Sequence, residues 1–118
     1  MAAEKTFENK VKGFLKKQNC WFVKTWSNGV QRTGIPDILV CCNGYFVGVE
    51  VKAPSGKPSD LQLWNLQKIE ESGGYAVLLY TNDFEIFKDF IDSLNNNFQN
   101  YANSFYSLLH GKIDKYKS

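Results

Sequence analysis

The sequence predicts an α/β fold in which a mixed sheet of about four strands is flanked by helices, in the order α-β-β-β-α-β-α with a C-terminal helical tail. Three observations predict it. Apolar residues recur with helical period near the N-terminus. Two β-branched runs are joined by Asn43-Gly44. A wholly apolar run, Tyr75 to Tyr80, follows a helical segment closed by Gly73-Gly74.

From Thr6 to Gln18, Phe7, Val11, Phe14 and Leu15 fall at i, i+4, i+7 and i+8, one stripe of a helix with lysines on its other side. Trp21 to Trp26 is aromatic and β-branched and reads as a strand; Ser27 to Ile35, with two glycines, reads as a loop. Asp37 to Cys42 and Tyr45 to Lys52 are the next two strands, because Asn-Gly best tolerates the positive φ angles of a two-residue type I′ turn. Two prolines and a glycine make Ala53 to Pro58 a loop. Ser59 then caps a helix from Asp60 to about Ser72. Tyr75 to Tyr80 reads as a buried strand. Thr81, Asn82 and Asp83 offer caps for a helix reaching about Asn96, with Phe87, Phe90, Ile91 and Leu94 on one stripe. Tyr101, Phe105, Leu108 and Leu109 mark a weaker helical stripe in a polar tail expected to fray.

The turn fixes the hairpin register. Cys42 pairs with Tyr45, and counting back places Asp37 opposite Glu50. Alternation puts Ile38, Val40, Cys42, Tyr45, Val47, Val49 and Val51 on an apolar face, and Asp37, Glu50 and Lys52 on the other. Opposed carboxylates on neighbouring strands lie about 5 Å apart at Cβ and repel one another. A cation offsets that repulsion: Lys52, about 7 Å along the strand, and a hard divalent ion such as Mg²⁺ or Mn²⁺, which suits two carboxylates with carbonyls nearby. Such an ion beside a lysine points to phosphodiester hydrolysis.

At these residues the sequence resembles the PD-(D/E)XK nuclease superfamily. Gly34-Ile35-Pro36-Asp37 supplies the first acid, and Glu50-Val51-Lys52 the second acid and the lysine. Within the superfamily it is most similar to VRR-NUC domains, through Ala53-Pro54-Ser55-Gly56 after the lysine and Ser59-x-x-Gln62 opening a helix; the tripeptide Val-Arg-Arg itself is not present. The likeness spans about residues 4 to 82. It implies a restriction endonuclease-like core with Asp37, Glu50 and the Val51 backbone carbonyl as metal ligands, and Lys52 near the attacking water. It further implies that Glu8 on the first helix, or alternatively Glu4, reaches the metal directly or through water, and that Gln62 stands beside the lysine. Each has an ordinary explanation too: Glu8 is spaced i, i+4 from Lys12 as a surface pair, and Gln62 is the N3 partner of Ser59 in a capping box.

The function expected is metal-dependent DNA cleavage, with branched DNA such as a Holliday junction as substrate. Symmetrical cutting of a four-way junction needs two active sites, hence a homodimer, for which the stripe around Phe105 and Leu109 is the candidate interface. The alternative is a non-catalytic module that binds nucleic acid or a replication protein. Lys24, Arg32 and Lys57 are candidates to contact phosphate. Trp21, Trp26 and Trp64 could stack bases, but aromatic residues in strands and helices are expected in the core.

Composition agrees with a single domain over residues 1 to 118, since 118 residues with 43% hydrophobic side chains allow one core. Residues 1 to 57 carry nine Lys/Arg against four Asp/Glu, and residues 58 to 118 five against eight; the basic half holds the acids and suits a phosphate backbone. Three cysteines without CxxC spacing, beside one histidine, indicate reduced and mostly buried thiols rather than disulfides or zinc. His110 is assigned no role. No apolar run reaches membrane-spanning length and the N-terminus has no signal-peptide core, so a cytoplasmic protein of a bacterial or phage-infected cell, without a small-molecule cofactor, is expected.

Overall fold

The computed structural model describes residues 2–26 and 33–116. Four strands form one mixed sheet in the order β1-β2-β3-β4. They are β1 (Trp21–Lys24), β2 (Ile38–Cys42), β3 (Tyr45–Lys52) and β4 (Tyr75–Tyr80), accompanied by helices α1 (Ala2–Lys17), α2 (Asp60–Glu71), α3 (Phe84–Asn95) and α4 (Gln99–Asp114). The first three strands are antiparallel, and β4 joins β3 in parallel after the α2 crossover.

The hairpin register is the one the turn predicts. Cys42 pairs with Tyr45 and Ile38 with Val49, while Asn43 and Gly44 take φ of 52° and 87°. β2 begins one residue later than expected, because Asp37 leaves the ladder and uses its side chain instead. Ile38, Val40, Cys42, Val47, Val49 and Val51 are buried, whereas Tyr45 is only partly so. This face packs against Phe7, Val11 and Leu15 of α1, Phe87, Phe90, Ile91 and Leu94 of α3, and Ala102 and Leu109 of α4. On the opposite face Leu66 of α2 and Ile113 of α4 cover Ala76, Leu78 and Tyr80.

Several expectations are corrected. Thr81, Asn82 and Asp83 form a 3₁₀ turn that runs into α3 without a side-chain cap. The expected frayed tail is a 16-residue helix, α4, because it has a buried stripe of its own: Ala102, Leu109 and Ile113 face inward while Tyr101 and Leu108 are exposed. Leu109 is buried in the chain's own core and Phe105 is partly buried against it. The tryptophans are not core: Trp21, Trp26 and Trp64 are 67%, 65% and 48% exposed. β1 stops at Lys24, so Trp26 lies outside the sheet, and Trp21 sits on a stretch of sheet that α2 does not cover. Of the three thiols only Cys42 is buried, and Cys41 is exposed.

α2 starts and stops as its sequence dictates. Ser59 accepts from the Gln62 N–H, and the Gln62 side chain accepts from the Ser59 N–H, so both halves of the capping box are present. Gly73, at φ 98°, ends the helix, and Gly74 N–H reaches back to the Ile69 carbonyl. Among the described residues no helix is long and apolar enough to cross a membrane.

Candidate active site

Asp37 precedes β2 in a bend, held on two sides. Thr25, just past β1, donates from its N–H to the Asp37 carbonyl at 2.8 Å, and its hydroxyl bonds the Pro36 carbonyl at 2.8 Å. On the other side the Val51 N–H donates to Asp37 Oδ2 at 2.9 Å. That N–H is free for a side chain because the β2–β3 ladder ends at Ile38 and Val49. In a strand the N–H and C=O of one residue face the same neighbour, so the Val51 carbonyl is on the Asp37 side as well.

Glu50 lies one residue before Val51 and is 2% exposed. Its Oε2 accepts from Gln62 Nε2 at 3.1 Å and lies 3.6 Å from Lys52 Nζ. Its Oε1 is buried with no hydrogen-bond partner among the described residues. Burial first, and then the charge of Asp37, push this carboxyl up to about 8 against the pull of Lys52. Gln62 thus serves both of its possible roles: the amide oxygen closes the capping box and the amide nitrogen holds Glu50.

Glu8 is not a mere surface pair. It is 5% exposed and meets three lysines, Lys24 at 3.2 Å, Lys5 at 3.4 Å and Lys12 at 3.5 Å. Burial works to raise its pKa, but the lysines together outweigh burial and hold the carboxyl below its ordinary value. Lys24, expected to face phosphate, instead bridges Glu8 and Asp37, with its ammonium 3.6 Å from Asp37 Oδ1. The three acids consequently form a chain with a lysine in it. Among the described residues no three metal-ligating side chains converge. Lys57 is exposed in the loop after Lys52, and Arg32 lies outside the described residues.

Glycines set the close approaches around these groups. Gly34 has φ 80°, and a Cβ there would stand 2.7 Å from Leu61 Cγ and 3.0 Å from Asn65 Nδ2, so only glycine lets this loop meet the first turns of α2. A Cβ on Gly56 would lie 3.3 Å from Lys52 Cδ. The loop therefore folds down on the lysine, and Tyr80 fastens it by donating to the Gly56 carbonyl at 2.8 Å. An apolar groove of about 350 Å³ is lined by Pro36, Leu39, Phe46 and Ile69 among others.

Comparison with models of known protein families finds no match, and comparison with curated proteins finds none. The geometry therefore stands by itself: Asp37 and Glu50 with Lys24, Lys52 and Gln62 around them, and Glu8 beyond Lys24.

Sequence reasoning missed Thr25 and Tyr80. Neither belongs to a motif, and each reaches the site through sheet pairing, Thr25 across β1–β2 and Tyr80 as the register partner of Lys52. It also passed over His110. Its Nε2 lies 2.6 Å from Glu70 Oε2 and its Nδ1 3.1 Å from Asp114, while Tyr106 donates to Glu70 at 2.7 Å, fastening α4 to α2.

Proposed function

We propose that the chain is a Mg²⁺-dependent DNA nuclease of the VRR-NUC type within the PD-(D/E)XK superfamily, with Mn²⁺ able to substitute. The observation that carries this reading is the state of Glu50: a carboxyl group almost wholly buried, facing the charge of Asp37, with one oxygen left without a partner among the described residues. In a fold that needed the residue only for structure, such a group would be a net cost. A cation removes both defects, so the donor set fits a hard divalent ion. Asp37, Glu50 and the Val51 carbonyl would hold it, and Glu8 would act through water, since Lys24 stands between Glu8 and Asp37. When bound, the ion supplies Lewis acidity toward a phosphate oxygen.

The chain's own residues do the rest. Lys52, pressed between the Gly56 loop and Glu50, places a positive charge where the phosphate and its attacking water meet. Gln62 fixes the Glu50 carboxylate, and the Val51 N–H fixes Asp37, so neither acid must reorganise as charge develops. The element order and the mixed sheet agree with a restriction endonuclease-like core. Branched DNA is the proposed substrate, cut by a homodimer.

The test is incubation with Mg²⁺ or Mn²⁺ and a panel of single-stranded, duplex, flap and four-way DNA, beside Asp37→Ala and Lys52→Ala. Cleavage by the wild-type chain that both substitutions abolish is expected. Cleavage that survives both overturns the assignment. Light scattering on the four-way complex tests the dimer, and a monomer there removes the junction reading.

A further inference from the structure

The carboxyl end of β4 carries a second feature beside the acids. Tyr80, the register partner of Lys52, floors a small pocket of about 100 Å³ lined by Pro54, Thr81, Asn82, Lys112 and Lys115. Two ammonium groups flank the one ring: Lys112 Nζ is 5.9 Å and Lys115 Nζ 6.0 Å from its centroid. Lys112 is steadied by Asp83 Oδ2 at 3.7 Å, an ion pair without a hydrogen bond, so its N–H donors stay available. Lys115 is exposed and also lies 5.2 Å from the Tyr116 ring. Lys57 reaches the same corner, where its charge and that of Lys115 act on the Tyr116 phenol.

Chemistry narrows the ligand. The pocket, about 100 Å³ and open to solvent, has room for one phosphate group. Its lining offers two cations, a hydroxyl and an amide, which are the side chains that meet phosphate oxygens in nucleic-acid complexes. Tyr80 sits one strand from Lys52, and its hydroxyl bonds the loop that covers Lys52, so the pocket adjoins the proposed cleavage site.

We propose that this pocket binds a non-scissile phosphate of the nucleic-acid substrate through Lys112 and Lys115, so that the backbone leaves Lys52 across β4 toward the end of α4. This rests on the nuclease reading above. It assigns the C-terminal helix, from the acidic half of the sequence, a part in substrate binding.

The experiment is a salt titration of binding to fluorescent four-way DNA in EDTA, by anisotropy, with the full chain. Each phosphate neutralised contributes about 0.9 to the slope of log K against log salt, so the double substitution Lys112→Gln, Lys115→Gln, which frees one phosphate, is expected to lower that slope by about 1. Lys115→Gln alone, at an exposed site that does not hold Asp83, lowers it by part of that amount and guards against misfolding of the double variant. Lys10→Gln, Lys16→Gln on the exposed side of α1 removes equal charge and is expected to change the slope less. A slope unchanged by the pocket substitutions, in a protein that still cleaves with Mg²⁺, overturns the pocket and leaves the nuclease reading standing. An equal loss in the α1 variant overturns it as well. So does an unchanged slope accompanied by a thermal shift with inorganic phosphate, which reassigns the pocket to a free anion. A wild-type chain that binds no DNA removes both readings.

Discussion

Gln62 donates from its side-chain nitrogen to Glu50 at 3.1 Å while its side-chain oxygen accepts the Ser59 N–H at 2.8 Å, so one amide both starts a helix and fixes a proposed metal ligand. The two roles separate by substitution. Gln62→Glu keeps a good capping-box partner but sets a second carboxylate against Glu50. Cleavage is expected to fall by about tenfold or more with little change in helix stability, whereas Ser59→Ala costs about 1 kcal/mol and leaves most activity. Thermal melts and initial rates on one preparation check both.

The Glu50 carboxyl ties stability to pH. Its folded value, about 8, exceeds the ordinary 4.5, so the folded chain retains a proton that the unfolded chain gives up. The stabilisation is complete below about pH 4.5 and disappears as pH rises through 8. Metal-free protein should therefore lose a few kcal/mol, by order of magnitude, between those limits relative to Glu50→Gln. The substituted protein is expected to melt higher at pH 8 than the wild type and to cleave nothing. Equal melting curves for the two proteins across this range would remove the buried-carboxylate account.

Lys24 competes for Asp37. Lys24→Gln removes the ammonium 3.6 Å from Asp37 Oδ1 and strips one of three cations from buried Glu8. Mg²⁺ affinity measured by calorimetry is expected to rise about two- to fivefold, and the metal-free fold to lose about 1–2 kcal/mol. A fall in metal affinity would show that Lys24 supports the ion rather than opposing it.

Glycine substitutions divide backbone strain from contact. Gly44 and Gly34 both have positive φ, 87° and 80°, but an alanine Cβ at Gly44 meets nothing, while at Gly34 it runs into Leu61 and Asn65. Gly44→Ala is expected to cost about 1–2 kcal/mol, and Gly34→Ala about 1–3 kcal/mol more with lowered cleavage, because α2 and Gln62 must move. Urea unfolding of the pair gives the difference directly.

Much of this was legible in the sequence, for reasons that can be named. Asn43-Gly44 admits one short loop, and that loop sets the pairing of every residue from Ile38 to Val49. Ser59 and Gln62 determine one another at three-residue spacing. What escaped depended on neighbours distant in the chain. Lys24 reads as a loose surface charge until β1 lies beside β2 and α1 delivers Glu8. α4 reads as a weak helix because its inward stripe includes Ala102, which adds little apolar signal though it is fully buried. The tryptophans misled because aromatic character was taken for burial, yet α2 covers the β3–β4 side of the sheet and leaves Trp21 outside.

Those exposed tryptophans also decide how the protein can be watched. Trp21 and Trp26 are 67% and 65% exposed and Trp64 48%, so unfolding changes their surroundings less than it would those of buried indoles, and circular dichroism is the better gauge of the folded fraction. The same exposure turns them into optical reporters of docking: Trp26 follows directly on Thr25, which holds Asp37, and Trp64 lies one turn from the start of α2. A base or a partner side chain arriving there quenches light from the rim of the site while the fold stays intact.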